Sequence, residues 1–536
     1  MTLLNTFSTW SVMAVPIIFT SSALKLALFK GSSSGGFSSS WRISFATTWL
    51  TLAATIFACF SHAFVALKYP ANVFAQPAPH WLRINALSLM MLLLISIIAL
   101  VIVRFSRNYI HQEPGEALYQ SWFMLALASV SVVITTNHFL IFILAWVMIS
   151  IGLHQLLMFY PNRPRAALAA HKKFLISRIA DICIIVAIAL LYVTHGSLWI
   201  SDILNHYQTQ TPISRASYAA AILFTIAAVL KCAQLPLHGW LMQVMEAPTP
   251  VSALLHAGII NMGGFLMILL SPLILNAPVA EWLLMFVGGV TAVLASLIMM
   301  TRISIKVMLA WSTCAQMGFM LLECGLGLYE LALLHLIAHS FYKAYAFLSS
   351  GEAVQHYIQD NLVKIQRSKN RSSPSLLQWL IGGLVAIIMV ACLFSFTHTF
   401  SQQLASFIAI GSVISIAITL MLSENLIIGV KNNPLYLLMM ALSIVVLYVS
   451  WHALFEQFFS SANISPLAAA WVVFLFVSLF CSYIMLRYYP YSKLSQWLYL
   501  HLFAGFYLDE WTTKITMILW PAKLPFKISV KSNVVK

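Results

Sequence analysis

Hydrophobic residues in this chain neither alternate nor follow a helical period; they run in blocks. Apolar stretches of about 20 residues recur from Phe7 onward. Each is long enough to cross about 30 Å of hydrocarbon as a helix, and too long for the alternating strands of a barrel. A window of about 19 residues predicts spans at 7–29, 43–67, 87–103, 119–135, 139–160, 174–193, 219–235, 250–275, 279–301, 307–326 and 331–350. Four more follow at 376–397, 404–422, 435–455 and 468–486. The expected fold is therefore an all-α polytopic membrane protein of about 13–15 transmembrane helices, the range reflecting that a broken helix counts once or twice.

The polar positions between the blocks set orientation. Lys and Arg accumulate in alternate connections: Lys25, Lys30 and Arg42; Arg104 and Arg107; Arg163, Arg165, Lys172 and Lys173; Arg302 and Lys306; Lys364 to Arg371; and Lys431. Read as solvated loop charges, they put the N-terminus outside and the basic C-terminal tail in the cytoplasm. The stretch "LSQWLYLHLFAGFYLDEWTTKITMILWPAKLPFK" mixes aromatics with Asp509, Glu510 and Lys514, which suits an interfacial helix better than a spanning one, and a place where a partner could dock.

Composition agrees with the pattern: 61% of the 536 residues are hydrophobic and only 8% charged, with a mean hydropathy of +0.90. The formal charge of +15 lies in the connections, so it speaks for orientation and against nucleic-acid binding. The seven cysteines are scattered singly without metal-ligand spacing and read as small core residues. The first apolar stretch lacks a basic n-region and a clear cleavage site, so it is expected to stay as a span. No phosphate-binding loop, nucleophile elbow or calcium loop is visible.

Charges inside the blocks carry the chemistry, because each costs about 2.5–3.5 kcal/mol at a helix centre and so faces protein or water. Lys231 follows a dozen mostly apolar residues, and Pro236 lacks the N–H that would continue the ladder. Together they describe a discontinuous helix with a hydrated lysine. His238 follows the break, Glu246 precedes Pro248 and Pro250, and His256 sits about two turns into the next helix. Alone, each histidine is more often a structural residue; beside Lys231 they form a candidate relay, since neighbouring titratable groups pass protons along water.

In "HLIAHSFYK", His335, His339 and Lys343 are spaced i, i+4, i+8 on one helical face. The alternative, interhelical hydrogen bonding, is modest but real. Arg178 and Asp181, at i, i+3, are either a local ion pair or supporting residues of the pathway. His398 is a weaker supporting candidate, and His154, Glu323 and Glu352 lie near span ends, where snorkelling accounts for them.

"KCAQLPLHGWLMQVMEAPTPVSALLHAGIINMGG", "SIKVMLAWSTCAQMGFM" and "HLIAHSFYKAYAFLSSG" resemble the antiporter-like proton-translocating subunits of respiratory complex I and of Mrp sodium/proton antiporters, over about 104–351. The resemblance implies inverted repeats of five helices, two broken helices and a mid-membrane line of lysine, histidine and water. Lys231 matches the family's broken-helix lysine, His256 the histidine of the next helix, and His335, His339 and Lys343 the second polar helix. It divides the chain into N-terminal helices (1–103), a first repeat broken near Pro236 (104–275), a second repeat (276–430), C-terminal helices (431–490), and an interfacial helix with a basic tail (491–536).

Two departures narrow the match. Complex I relatives carry a glutamate after the tryptophan of "LAW", where this chain has Val147, and 376–422, expected to hold the second broken-helix charge, holds none. The chain also ends without room for the long lateral helix of the largest complex I subunit. "RFSRNYIHQEPGEALYQSW" and "HLFAGFYLDEW" look most like the membrane subunits of two-component inorganic-carbon transporters. That implies a bacterial inner-membrane subunit moving protons or another cation, without a cofactor or chemistry of its own. Its implied partner is a cytoplasmic zinc subunit similar to β-carbonic anhydrases, in which CO2 hydration is driven. The alternatives are an Mrp-type antiporter subunit, a proton-pumping quinone-reductase subunit, or a scaffold that only anchors a soluble enzyme.

Overall fold

A computed structural model describes residues 2–28, 39–68, 80–111, 113–160, 163–208, 213–352, 376–395, 404–427, 434–455 and 464–521. His398, the Lys364 to Arg371 run, Lys30, Lys431 and the basic tail after 521 lie outside these. Among the described residues there is no strand, only an antiparallel bridge between Leu82 and Thr136.

The helices are α1 (Thr2–Ala27), α2 (Ser39–Lys68), α3 (Ala86–Tyr109), α4 (Glu116–Thr135), α5 (Phe139–Leu157), α6 (Pro164–His195), α7 (Ile200–Gln208), α8 (Arg215–Lys231) and α9 (Gly239–Gln243). Then come α10 (Thr249–Leu254), α11 (Met262–Leu269), α12 (Ser271–Ile274), α13 (Pro278–Met299), α14 (Ile305–Gly325) and α15 (Tyr329–Leu348). The last are α16 (Leu376–Ser395), α17 (Leu404–Ile427), α18 (Pro434–Phe455), α19 (Pro466–Tyr488), α20 (Lys493–Phe503) and α21 (Leu508–Leu519). Among the described residues, 12 helical spans are long and apolar enough to cross a membrane. The 17-residue α8 and helices α16 and α17 occupy the other predicted windows. A π-helical turn, Leu255–Ile259, interrupts the run from α10 to α11.

The chain folds as two compact units. One contains the described residues up to Ile182, with Pro236–Ile259 and those from Leu508 onward. In it α1 packs on α2 and α4, α4 on α5, α3 on α10, and α21 on α9. Hydroxyls that would be orphaned in lipid turn back onto their own helices: Thr55 Oγ1 donates to Thr51 O (2.7 Å) and Ser96 Oγ to Leu92 O (2.8 Å). A capping box starts α3, with Ser88 N donating to Asn85 Oδ1 (2.9 Å) and Asn85 N to Ser88 Oγ (3.0 Å).

The other unit holds Cys183–Leu235 and Ile260–Tyr507. Its closest helix pair is α13 and α14, which touch through glycines. A Cβ on Gly318 would lie 2.6 Å from Gly288 O, and one on Gly288 2.5 Å from Gly318 O. This is the small-residue packing of membrane helices, where close backbones replace a hydrophobic driving force. Large apolar side chains such as Val193, Phe286 and Phe474 are exposed, as lipid contact allows.

Candidate functional site

The break after Lys231 is built from the backbone. Ala233 takes a left-handed φ of 51°, Gln234 N donates to Val229 O (3.2 Å) and Ala233 N to Leu230 O (3.4 Å). These are the two bonds of a Schellman closure with alanine where glycine is usual. Lys231 is thereby the last helical residue, half-buried, with its charge at the end of the helix that favours cations. The freed groups are met by neighbours: Cys314 Sγ donates to Ala233 O (3.1 Å), and Leu235 N to Thr291 Oγ1 (3.2 Å). Sequence pointed to Pro236 as the breaker, yet the helix has already closed before it, and Pro236 is exposed.

In the same unit α11 packs against α8, α14 and α15, so one short helix serves both the Lys231 helix and the polar face of α15. There His339 and Lys343 are buried, Lys343 completely, with Nζ donating to Leu309 O (3.0 Å). Asn261 Nδ2 donates to Ser340 Oγ (2.7 Å) between them. The His335 and His339 rings lie 6.3 Å apart, edge to face. His335 Nδ1 donates to the Glu323 carboxylate (3.0 Å). Glu323 is 8% exposed, so it is not the snorkelling residue its place near a span end suggests.

In the first unit, His256 is fully buried within the π-helical turn, a feature frequent at functional sites. His238 is buried, its Nδ1 lying 3.3 Å from Pro236 O. Glu246 is half-exposed beside basic residues: Arg163 Nη1 donates to its carbonyl (3.2 Å) and Arg165 Nη1 lies 4.0 Å from its carboxylate. Arg178 and Asp181 pair at 2.6 Å, with the guanidinium 4.8 Å over the Phe174 ring.

The reading of every basic run as solvated loop charge is corrected at three positions. Helix α6 begins at Pro164, ten residues before the predicted window, so Lys172 and Lys173 lie inside it and are buried. Lys173 Nζ donates to Ser150 O and Oγ, both at 2.9 Å. Lys172 Nζ donates to Asp509 Oδ1 (2.9 Å), Asp509 Oδ2 (3.0 Å) and Thr513 Oγ1 (2.8 Å) on α21. Gln243 Nε2 also reaches Asp509 (3.2 Å), and a Cβ on Gly239 would overlap that carboxylate. Trp520 stacks on His171, rings 4.0 Å apart. In the other unit Arg302 donates to Leu502 O of α20 (3.1 Å), its guanidinium over Trp311 and Phe503; burial lowers its pKa from the ordinary arginine value. The mix of aromatics with Asp509, Glu510 and Lys514 pointed to an interfacial helix, but nothing in the sequence named Lys172 as the partner of Asp509.

A closed helix ending in lysine, a π-turn with a buried histidine and a His–His–Lys face define an antiporter-like ion-translocating membrane subunit. The family model "NADH:quinone oxidoreductase/Mrp antiporter, TM" matches residues 136–395, and that of the complex I chain 5 N-terminus matches 77–120. A solved chain of the Mrp complex from Dietzia sp. shares the fold, with a TM-score of 0.53 at 18% identity, covering 95% of this chain and 55% of that one. "Probable inorganic carbon transporter subunit DabB" of Hydrogenovibrio crunogenus is 42% identical over 84% of this chain and 86% of the relative. DabB2 of Halothiobacillus neapolitanus, similarly described, is 35% identical over 83% and 81%. The chain belongs to the DabB family within the complex I and Mrp antiporter-like superfamily. Among the described residues no three His, Cys, Asp or Glu side chains gather as a metal site.

Proposed function

We propose that this chain is the cation-translocating membrane subunit of a two-component inorganic-carbon transporter, with the proton as its ion. The observation that carries the ion path is the Schellman closure at Ala233, which ends a membrane helix on a lysine and leaves its charge at a polar break. Lys231, His238, His256, His335, His339 and Lys343 form the pathway, with Glu246 at its cytoplasmic edge and Arg178, Asp181 and His398 supporting. Residues 104–275 and 276–430 are its two antiporter-like repeats. The carbon reading rests on the relatives named as carbon-transporter subunits. The partner is a DabA-type subunit on the cytoplasmic side that holds zinc and hydrates CO2, and the membrane is the bacterial inner membrane. Moving one charge down 100 mV supplies about 2.3 kcal/mol, enough to bias hydration toward accumulation.

The test is uptake of labelled inorganic carbon in cells lacking carbonic anhydrase, with this chain and its large zinc partner co-expressed. Uncoupler-sensitive uptake that disappears in Lys231→Ala is expected. No uptake from an assembled wild-type pair sinks the carbon reading in favour of antiport or quinone-linked pumping. Unchanged uptake in the variant reduces the chain to an anchor.

A further inference from the structure

The polar face of α15 does not end at His335. Beyond it, around the tight turn from α14 to α15, stands a second buried acid–histidine pair. His452 Nδ1 of α18 donates to Glu330 Oε1 (3.1 Å), and Trp451 Nε1 to the Glu330 carbonyl (2.8 Å). The side chains of Glu330 and His452 are 7% and 13% exposed, those of Glu323 and His335 10% and 11%. The two acids flank one tight turn, in which Leu328 N donates to Glu323 O (3.0 Å).

We propose that Glu323–His335 and Glu330–His452 continue the Lys343–His339 face as a proton-conducting line along α14, α15 and α18. They would serve in place of the charge that 376–422 lacks. The proposal rests on the ion-translocation reading above.

Three physical points favour a relay over packing. First, an acid in the opening turn of α15 is explained by the helix dipole, but the dipole does not call for a buried histidine from α18. Second, both ring nitrogens of His335 face partners: Nδ1 faces Glu323 Oε2, and Nε2 lies 2.8 Å from Gln316 Oε1. The imidazolium donates to both; after Nδ1 gives up its proton the bare nitrogen accepts from the carboxylic acid so formed, while Nε2–H still donates to Gln316 Oε1. The site therefore accommodates either protonation state. Third, burying a carboxylate and an imidazole in a membrane is costly unless paired, and apolar residues of equal volume would pack as well.

The step balances without a co-reactant. His335 Nδ1 gives its proton to Glu323 Oε2, turning imidazolium and carboxylate into imidazole and carboxylic acid. His339 then reprotonates the ring through water. Glu323 releases that proton through water to the Glu330 carboxylate, and the Glu330 acid passes it to His452 Nδ1, which restores both carboxylates and leaves the proton on the α18 imidazole.

The experiment uses the intact two-subunit complex in lipid vesicles, with a trapped pH-sensitive dye and an imposed potential, alongside the cellular carbon-uptake assay. Glu323→Gln and Glu330→Gln keep size and hydrogen-bonding but cannot titrate. They are expected to slow proton entry at least about tenfold, whereas Glu323→Asp and Glu330→Asp retain most of it. Gln variants at the wild-type rate overturn the proposal. So do Gln and Asp variants slowed alike in a fully assembled complex, which mark the acids as structural. Wild-type vesicles that pass protons while cells take up no carbon sink the carbon reading alone; the line is then judged on proton entry.

Discussion

Single residues show how much of this protein's polar chemistry is spent on holding rather than moving. Lys172 is completely buried, and its three polar contacts all lie on one turn of α21. Removing one partner of such a pair strands the other, at about 3–5 kcal/mol when fully buried. Asp509 is 33% exposed on its side chain, so Asp509→Ala is expected at or below the low end, about 3 kcal/mol. Lys172→Met combined with Asp509→Leu should cost less than either single change, because no charge is left unpaired. Thermal unfolding midpoints of the purified complex in one detergent check this; a single variant as stable as the wild type contradicts it. Ala233 is the converse case, a residue whose conformation and not its contacts matters. Left-handed φ at a residue with a Cβ costs roughly 1–2 kcal/mol, which the Schellman bonds and Cys314 offset.

At the scale of elements, the glycines of α13 and α14 decide how closely the helix floor of the Lys231 break is built. Thr291, which caps Leu235, lies one turn from Gly288, and Cys314, which caps Ala233, one turn from Gly318. Gly318→Ala puts a methyl 2.6 Å from Gly288 O and 3.0 Å from Gln234 Oε1. The helices must separate, at about 1–3 kcal/mol, and the two caps move with them. The expected outcome is a lower unfolding midpoint together with slower carbon uptake. A stable variant with full uptake shows that the closeness is not needed. Gly318 stands alone in an apolar run and Gly288 beside Gly289 in another, and no local pattern pairs them, because the pairing depends on two helices meeting.

At the scale of the whole molecule, orientation is the prediction that survives reassigning Lys172, Lys173 and Arg302 from loop charges to internal contacts. Lys25, Arg104 and Arg107 lie toward the C-terminal ends of α1 and α3, Arg163 in the connection to α6 and Arg165 in its first turn, so they are expected on one side by alternation. A reporter that is active only in the cytoplasm, fused after Lys536, is therefore expected to be active, and one fused before Met1 inactive. The reverse pattern overturns the orientation.

Block length, composition and loop charge determined by themselves that this is a helical, polytopic membrane protein, because an apolar run of fixed length in lipid has only one way to satisfy its backbone. The i, i+4, i+8 spacing likewise placed His335, His339 and Lys343 on one face, a consequence of helical period alone. Only the tertiary structure decided which charges are buried and with whom. Lys172 meets Asp509 from 337 residues away, and Glu330 meets His452 across 122. A charge near a predicted span end reads the same in sequence whether it snorkels to water or turns inward to a partner. The energy that separates those fates is set by the helix packed against it, and no local pattern names that helix.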